Sequence, residues 1–273
     1  MAAKDAESAA WLARLAGEVQ DLSALWLLEV GAPFENGSCS WVAPVRQGNR
    51  NAILKLSLPH FEAADEVLGL QFWYGDPTVL VYETDPARHA FLLERCEPGT
   101  ALTELAEEEQ DTVVASLLRR AWRRGPQGAG FRPLAVQMAR WAEETTAQSA
   151  NWLDGGLVKE GLRLCEEMAR PSGDDALLAT DLHAGNILRA QRKPWLAIDP
   201  KPFVGDPAYD STQHLLNCRR RLHADPHRLV REFSSLLELD AQRVQAWLFA
   251  RLAADPREIW NAEDVSLARR LRP

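Results

Sequence analysis

An α+β chain in two parts is what this sequence predicts: a small five-stranded, mostly antiparallel sheet with one inserted helix, followed by a larger, mainly helical part. Three observations carry the prediction. Short apolar runs separated by turn residues fill the stretch from Trp26 to Leu93. Apolar positions at helical spacing take over from Leu102. The helical pattern is then interrupted once, by the strand-like pieces between Leu177 and Ile198.

The elements follow in order. Ala9 to Leu25 reads as an amphipathic helix. Strands are expected at Trp26 to Val30, Ser40 to Val45, Ala52 to Ser57, Thr78 to Tyr82 and Ala90 to Leu93. Turn chemistry at Glu35-Asn36-Gly37-Ser38, Gln47-Gly48-Asn49 and Thr84-Asp85-Pro86 joins them as hairpins. One helix, about Phe61 to Trp73, lies between the third and fourth strands. Further helices are expected near 102–124, 131–151, 156–170, 207–221, 228–238, 241–253 and 264–271. A strand ends and helices begin at Glu97-Pro98-Gly99, so the expected domains are 1–97 and 98–273.

Composition narrows the function. With 273 residues, 46 % hydrophobic and 26 % charged, the chain can bury a core and reads as an ordinary soluble protein. Lys4, Asp5, Glu7 and Arg14 break up its start, and no stretch approaches the ~20 apolar residues of a membrane span, so a cytoplasmic location is expected. A formal net charge of -8 disfavours nucleic acid and membrane surfaces as partners and suits a cationic one. Cys39, Cys96, Cys165 and Cys218 lack Cys-x-x-Cys spacing, which leaves oxygen ligands for any metal. Trp122, Trp141, Trp152 and Trp247 sit at spacings expected of packing between helices, and Arg119-Arg120-Ala-Trp-Arg-Arg124 reads as a solvated helix face. Oligomeric state leaves no mark on the sequence.

The chemistry concentrates in Asp181-Leu-His-Ala-Gly-Asn186 and in Asp199, thirteen residues further on. Aspartate and asparagine oxygens are hard donors suited to Mg2+, and turns between apolar strands hold them rigidly. One base and two metal ligands at one point make a phosphoryl-transfer site. Upstream, Lys55 lies on an alternating strand that would bury it, so a counter-charge is required; Glu62 and Glu66 share the face of the following helix.

These residues carry a resemblance. Asp181 to Asn186 with Asp199 resembles the signature of the protein-kinase-like fold, in the form borne by aminoglycoside phosphotransferases. Ile53-Leu-Lys-Leu-Ser-Leu-Pro59, Leu92-Leu-Glu-Arg-Cys-Glu-Pro-Gly-Thr100 and Trp195-Leu-Ala-Ile-Asp-Pro-Lys201 through Asp210 are similar to the streptomycin 6-phosphotransferase and hydroxyurea phosphotransferase branch. The likeness runs roughly from residue 22 to 220. It implies a bilobal fold and an ATP- and Mg2+-dependent kinase. The implied acceptor is a hydroxyl of a small cationic, polyhydroxylated molecule, a streptomycin-like aminoglycoside first, and its modification would confer resistance.

Roles follow from the resemblance. Asp181 is the implied catalytic residue, Asn186 and Asp199 the implied metal ligands, and Lys55 the phosphate-binding lysine with Glu66 as its partner. Backbone groups of Arg95, Cys96 and Glu97 would meet adenine. Ser38 and Ser40 are candidate phosphate contacts on a turn whose single glycine suits a plain hairpin equally. His183 either reaches the γ-phosphate or packs the loop. Asp206 and Asp210 are read as structural, at a helix start with Pro207. Glu143, Glu144, Asp154 and Asp174 are candidates to bind acceptor cations. One departure stands out: Ala179-Thr180 occupies the place of the family's His-Gly, an internal brace of the catalytic loop. It motivates one alternative, a catalytically silent nucleotide-binding module; a second keeps the fold and makes the acceptor a cellular metabolite.

Overall fold

The computed structural model describes residues 6–35, 39–58, 60–122, 130–257 and 259–273. They fall into two compact units, Met1–Thr100 with Leu188–Ile198, and Ala101–Ile187 with Asp199–Pro273.

In the first unit, helix α1 (Ala6–Leu25) precedes strands β1 (Leu28–Val30), β2 (Ser40–Gln47) and β3 (Arg50–Ser57). Helix α2 (Glu66–Trp73) follows a short 3-10 turn and leads to β4 (Val81–Asp85) and β5 (Ala90–Glu94). Every pairing is antiparallel, in the order β1-β2-β3-β5-β4. The two-residue period of a strand sorts its side chains. Ala52, Leu54 and Leu56 of β3 pack with Trp11 and Leu22 of α1, while Ile53 packs on the opposite cluster with Leu70 of α2 and Leu196. Lys55 shares the face of Ile53, which brings its amine to α2.

The fourth strand starts later than the Thr78 to Tyr82 expected from sequence. Residues Pro77 to Val79 pair instead with the returning segment: Val79 N donates to Ala197 O at 3.1 Å, and Ala197 N to Pro77 O at 3.0 Å. A chain already hydrogen-bonded there cannot also pair with β5, and the β4–β5 register shifts between Val81 and Glu83.

The second unit holds α3 (Glu107–Ala121), α4 (Leu134–Ala147) and α5 (Gly155–Met168), then short strands β6 (Ala176–Leu178), β7 (Ile187–Arg189), β8 (Trp195–Ala197) and β9 (Phe203–Gly205). Of these, most of β7 and all of β8 belong to the first unit. Strand β6 pairs antiparallel with β9, which sequence periodicity does not show, and β7 is joined to β8. Helices α6 (Pro207–Asn217), α7 (Arg219–Ala224), α8 (Pro226–Leu237), α9 (Ala241–Ala254) and α10 (Ala262–Leu271) complete the chain. The single helix expected over 207–221 breaks at Cys218, whose ψ of 47° leaves the helical region. Asp206 and Asp225 cap α6 and α8 ahead of a proline at the first turn. Helices α5 and α9 approach closely because Gly161 has no side chain; a Cβ there would stand 2.8 Å from that of Ala253. Among the described residues no helix is long and apolar enough to cross a membrane.

Candidate active site

In the first unit, Lys55 Nζ lies 2.6 Å from Glu66 Oε1, with both side chains at most 5 % exposed. Lys55 faces Val42 on β2 and Phe91 on β5 in the sheet register, so the strands on both sides fence its stem. The desolvation of the two charges is offset where they meet. The ammonium is a compact point charge, suited to phosphate oxygens.

Ser40 is half-buried at the start of β2, paired with Ser57. Ser38, with Asn36 and Gly37, lies outside the described residues. Beyond β5, Arg95 is exposed and sits 3.6 Å from Glu97, which also accepts from Asn51 Nδ2 at 3.0 Å. Cys96 is buried, and burial pushes its thiol up to about 12, so it is an inert neutral group there.

In the second unit, β6 ends in a tight turn that presents Asp181. Its N–H donates to Ala179 O at 2.8 Å, and Lys201 N donates to the same carbonyl at 2.8 Å, which draws the chain after Asp199 alongside. The Asp181 carboxylate then meets donors from two other elements. Lys201 Nζ is 3.0 Å from Oδ2 and Gln213 Nε2 of α6 donates to Oδ1 at 2.8 Å. Asn186 Nδ2 donates to the Asp181 carbonyl at 3.0 Å, closing the loop. His183 accepts from Gly185 N at Nδ1 (3.1 Å), while its Nε2 stays 3.9 Å from Asp181 Oδ1. Accepting at Nδ1 requires a neutral ring, and burial, only partly offset by Asp181, pulls its pKa below the usual value.

The backbone at Ala179-Thr180 is held from α6. Asp210, fully buried in α6, accepts from Ala179 N (2.9 Å), Thr180 N (2.7 Å) and Trp122 Nε1 (2.9 Å). Burial pushes this carboxyl up to about 6, against the pull of its three N–H donors. Thr180 takes a left-handed backbone with φ of 50°, a conformation glycine adopts freely and a β-branched residue adopts at a cost. Its hydroxyl compensates by donating to Lys201 O at 2.5 Å. Asp206 is structural too: besides capping α6 it accepts from Arg243 Nε (2.6 Å) and Trp247 Nε1 (2.7 Å) of α9.

Asn186 and Asp199 supply one amide and one carboxylate, a hard-oxygen set that fits Mg2+. The fit has a local cause. Because the Asn186 NH2 is committed to a carbonyl, its Oδ1 is the end available to a cation. Asp199 has a left-handed backbone, φ 52°, where the chain re-enters the second unit after Leu188–Ile198. Of the acidic residues considered for the acceptor, Asp154 caps α5 and pairs with Arg269, and Glu144 pairs with Arg140, so both are committed elsewhere. Sequence reading passed over Lys201, although a lysine two residues beyond Asp199 is itself a signal. Gln213 and, behind it, Arg251 carry no local signal.

Residues 25–264 match the family described as aminoglycoside/hydroxyurea antibiotic resistance kinase. Streptomycin 6-kinase of Streptomyces glaucescens is 33 % identical over an alignment of 274 positions that covers 96 % of this chain and 88 % of that protein. Hydroxyurea phosphotransferase of Kitasatospora aureofaciens is 34 % identical over an alignment of 260 positions that covers 93 % of this chain and 75 % of that protein. Among solved structures, choline kinase LicA from Streptococcus pneumoniae superposes with a TM-score of 0.65 at 14 % identity, over 94 % of this chain and 97 % of that one. Aminoglycoside phosphotransferase APH(4)-Ia, in complex with ADP and hygromycin B, gives 0.57 at 16 %, over 92 % and 95 %. At such identities the structural likeness speaks for the fold alone, which is protein-kinase-like.

Proposed function

The chain belongs to the aminoglycoside/hydroxyurea antibiotic resistance kinase family and is thus a phosphotransferase acting on hydroxyl groups; from that premise we propose that it transfers the γ-phosphate of ATP, with Mg2+, to a hydroxyl of a streptomycin-like aminoglycoside. The observation that carries the reading is the Asp181 carboxylate, held between Lys201 and Gln213 on a loop closed by Asn186. Such a carboxylate accepts a hydrogen bond from an incoming hydroxyl and takes its proton as the phosphorus–oxygen bond forms. Lys201 adds positive charge where the transferring group gains negative charge. Lys55, fixed by Glu66, holds the α- and β-phosphates. Arg95, Cys96 and Glu97 offer backbone groups to adenine, and Ser40, at the start of β2, is a candidate phosphate contact. His183, neutral and tied to Gly185, shapes the loop. Asn186 and Asp199 would hold Mg2+, which when bound neutralises charge on the β- and γ-phosphates. The net charge of -8 favours a cationic acceptor.

A second acceptor has support of its own: the hydroxyurea phosphotransferase relative is 34 % identical, on a level with the streptomycin kinase. The test is ADP release from ATP–Mg2+ with streptomycin, hydroxyurea, hygromycin B or choline as acceptor. Streptomycin-stimulated turnover that disappears in Asp181→Ala is the expected result. Stimulation by hydroxyurea or choline alone moves the assignment to that acceptor. Equal, background turnover in wild type and Asp181→Ala with intact ATP binding overturns the kinase reading in favour of a silent module.

A further inference from the structure

Arg251 of α9 is 6 % exposed, an unusual position for a guanidinium, and nothing in the phosphotransfer reading uses it. It donates to Asp255 Oδ2 (2.9 Å), Thr212 Oγ1 (2.9 Å) and Gln213 Oε1 (3.0 Å), and lies 5.0 Å from the centroid of the Tyr209 ring. Asp255 alone would balance its charge. The bond to Gln213 reaches further, because Gln213 Nε2 is the donor to Asp181 Oδ1 at 2.8 Å.

We propose that Arg251 and Gln213 are positioning residues that form a polarity relay, fixing the Asp181 carboxylate in one orientation for phosphotransfer. The argument is one of donors and acceptors. A guanidinium has only donors, and an ionised carboxylate only acceptors. The Gln213 amide between them has one end of each kind, so only one of its two flip states satisfies both neighbours. Arg251 holds the carbonyl end, and the NH2 end is thereby aimed at Asp181. With no donor-only group behind it, the amide is free to turn its oxygen toward the carboxylate, which repels it. The relay braces the Asp181 side chain, as Asp210 braces the backbone of Ala179 and Thr180, in a chain that has no histidine at position 179.

The inference rests on Asp181 being the base, and the test separates the two. With an acceptor on which the wild type turns over, Gln213→Leu is expected to lower kcat about tenfold, leaving KM for ATP within about twofold. Gln213→Glu, of the same shape but without a donor, loses at least as much. Arg251→Met loses about as much as Gln213→Leu, and Arg251→Lys, which keeps a donor-only cation, recovers part of the loss. Arg251→Met costs nothing further in the Gln213→Leu background, because the two act through one another. Full kcat in both Gln213 variants overturns the relay while leaving the kinase reading intact. So does full additivity of the Arg251 and Gln213 losses, or no advantage of lysine over methionine. A wild type without turnover on any acceptor overturns the functional reading and the relay with it. The Gln213 variants keep the inference open to refutation even if Arg251→Met fails to fold.

Discussion

Two lysine–carboxylate pairs, one in each unit, are built from the same chemistry at different depths. Lys55 and Glu66 stand 2.6 Å apart with side chains 5 % and 3 % exposed; Lys201 and Asp181 stand 3.0 Å apart at 31 % and 20 %. A closed pair is a fixture: its charges have lost their water and depend on each other. A half-open pair can exchange partners, which a base that must meet a substrate requires. The first pair should therefore fail as stability and the second as turnover.

The strongest way to break the contrast is Asp181→Ala. It should lower kcat by about 10²–10⁴ while the melting temperature stays close to that of the wild type; a variant that melts early would make the open pair a structural one. Next, Lys55→Met or Glu66→Leu alone breaks the buried pair and should cost about 3–5 kcal/mol of unfolding free energy. The double variant should regain most of that in a denaturant titration yet still bind ATP poorly. If the double variant binds ATP normally, the closed pair is not a phosphate holder.

A smaller effect concerns Asp210. Its folded pKa, pushed up to about 6, lies above its ordinary value of 3.8, so between those values the folded state binds a proton that the unfolded state has released. The stability it contributes is present below about 4 and lost as pH rises through 6. Melting curves of wild type and Asp210→Asn should therefore diverge as pH falls from 7 to 4, by up to about 3 kcal/mol in favour of the wild type. A constant difference would mean that the three N–H donors cancel the effect of burial. Smallest is Thr180. Thr180→Gly relieves its left-handed backbone but loses the hydroxyl bond to Lys201 O, leaving stability within about 1 kcal/mol. Thr180→Val keeps the strain and loses the bond, and should melt lower than either.

Legibility followed distance along the chain. Lys55 could be read because strand alternation would bury it, whereas the helix that follows offers both Glu62 and Glu66, and only the family resemblance singles out Glu66. The loop from Asp181 to Asn186 could be read because its turn chemistry is local. The β6–β9 pairing, the excursion of Leu188–Ile198 into the first unit and the donor Gln213, 32 residues beyond Asp181, depend on contacts that no periodicity encodes. Lys201 was visible but ambiguous, since a lysine after a proline in a turn is ordinarily a solvated one. A structural role for Asp210 follows from a helix start together with the resemblance, but the particular backbone N–H groups it receives are not legible in the sequence.

Asp206 has a longer reach than a helix cap. By receiving Arg243 and Trp247 it fastens α9 to the start of α6, and these two helices carry Arg251 and Gln213. The tail of the chain, which the family match follows as far as residue 264, is on this view part of the catalytic apparatus. Substitutions that loosen α9 would alter the rate without touching any bound molecule, and shortening the protein after α6 would remove a working part.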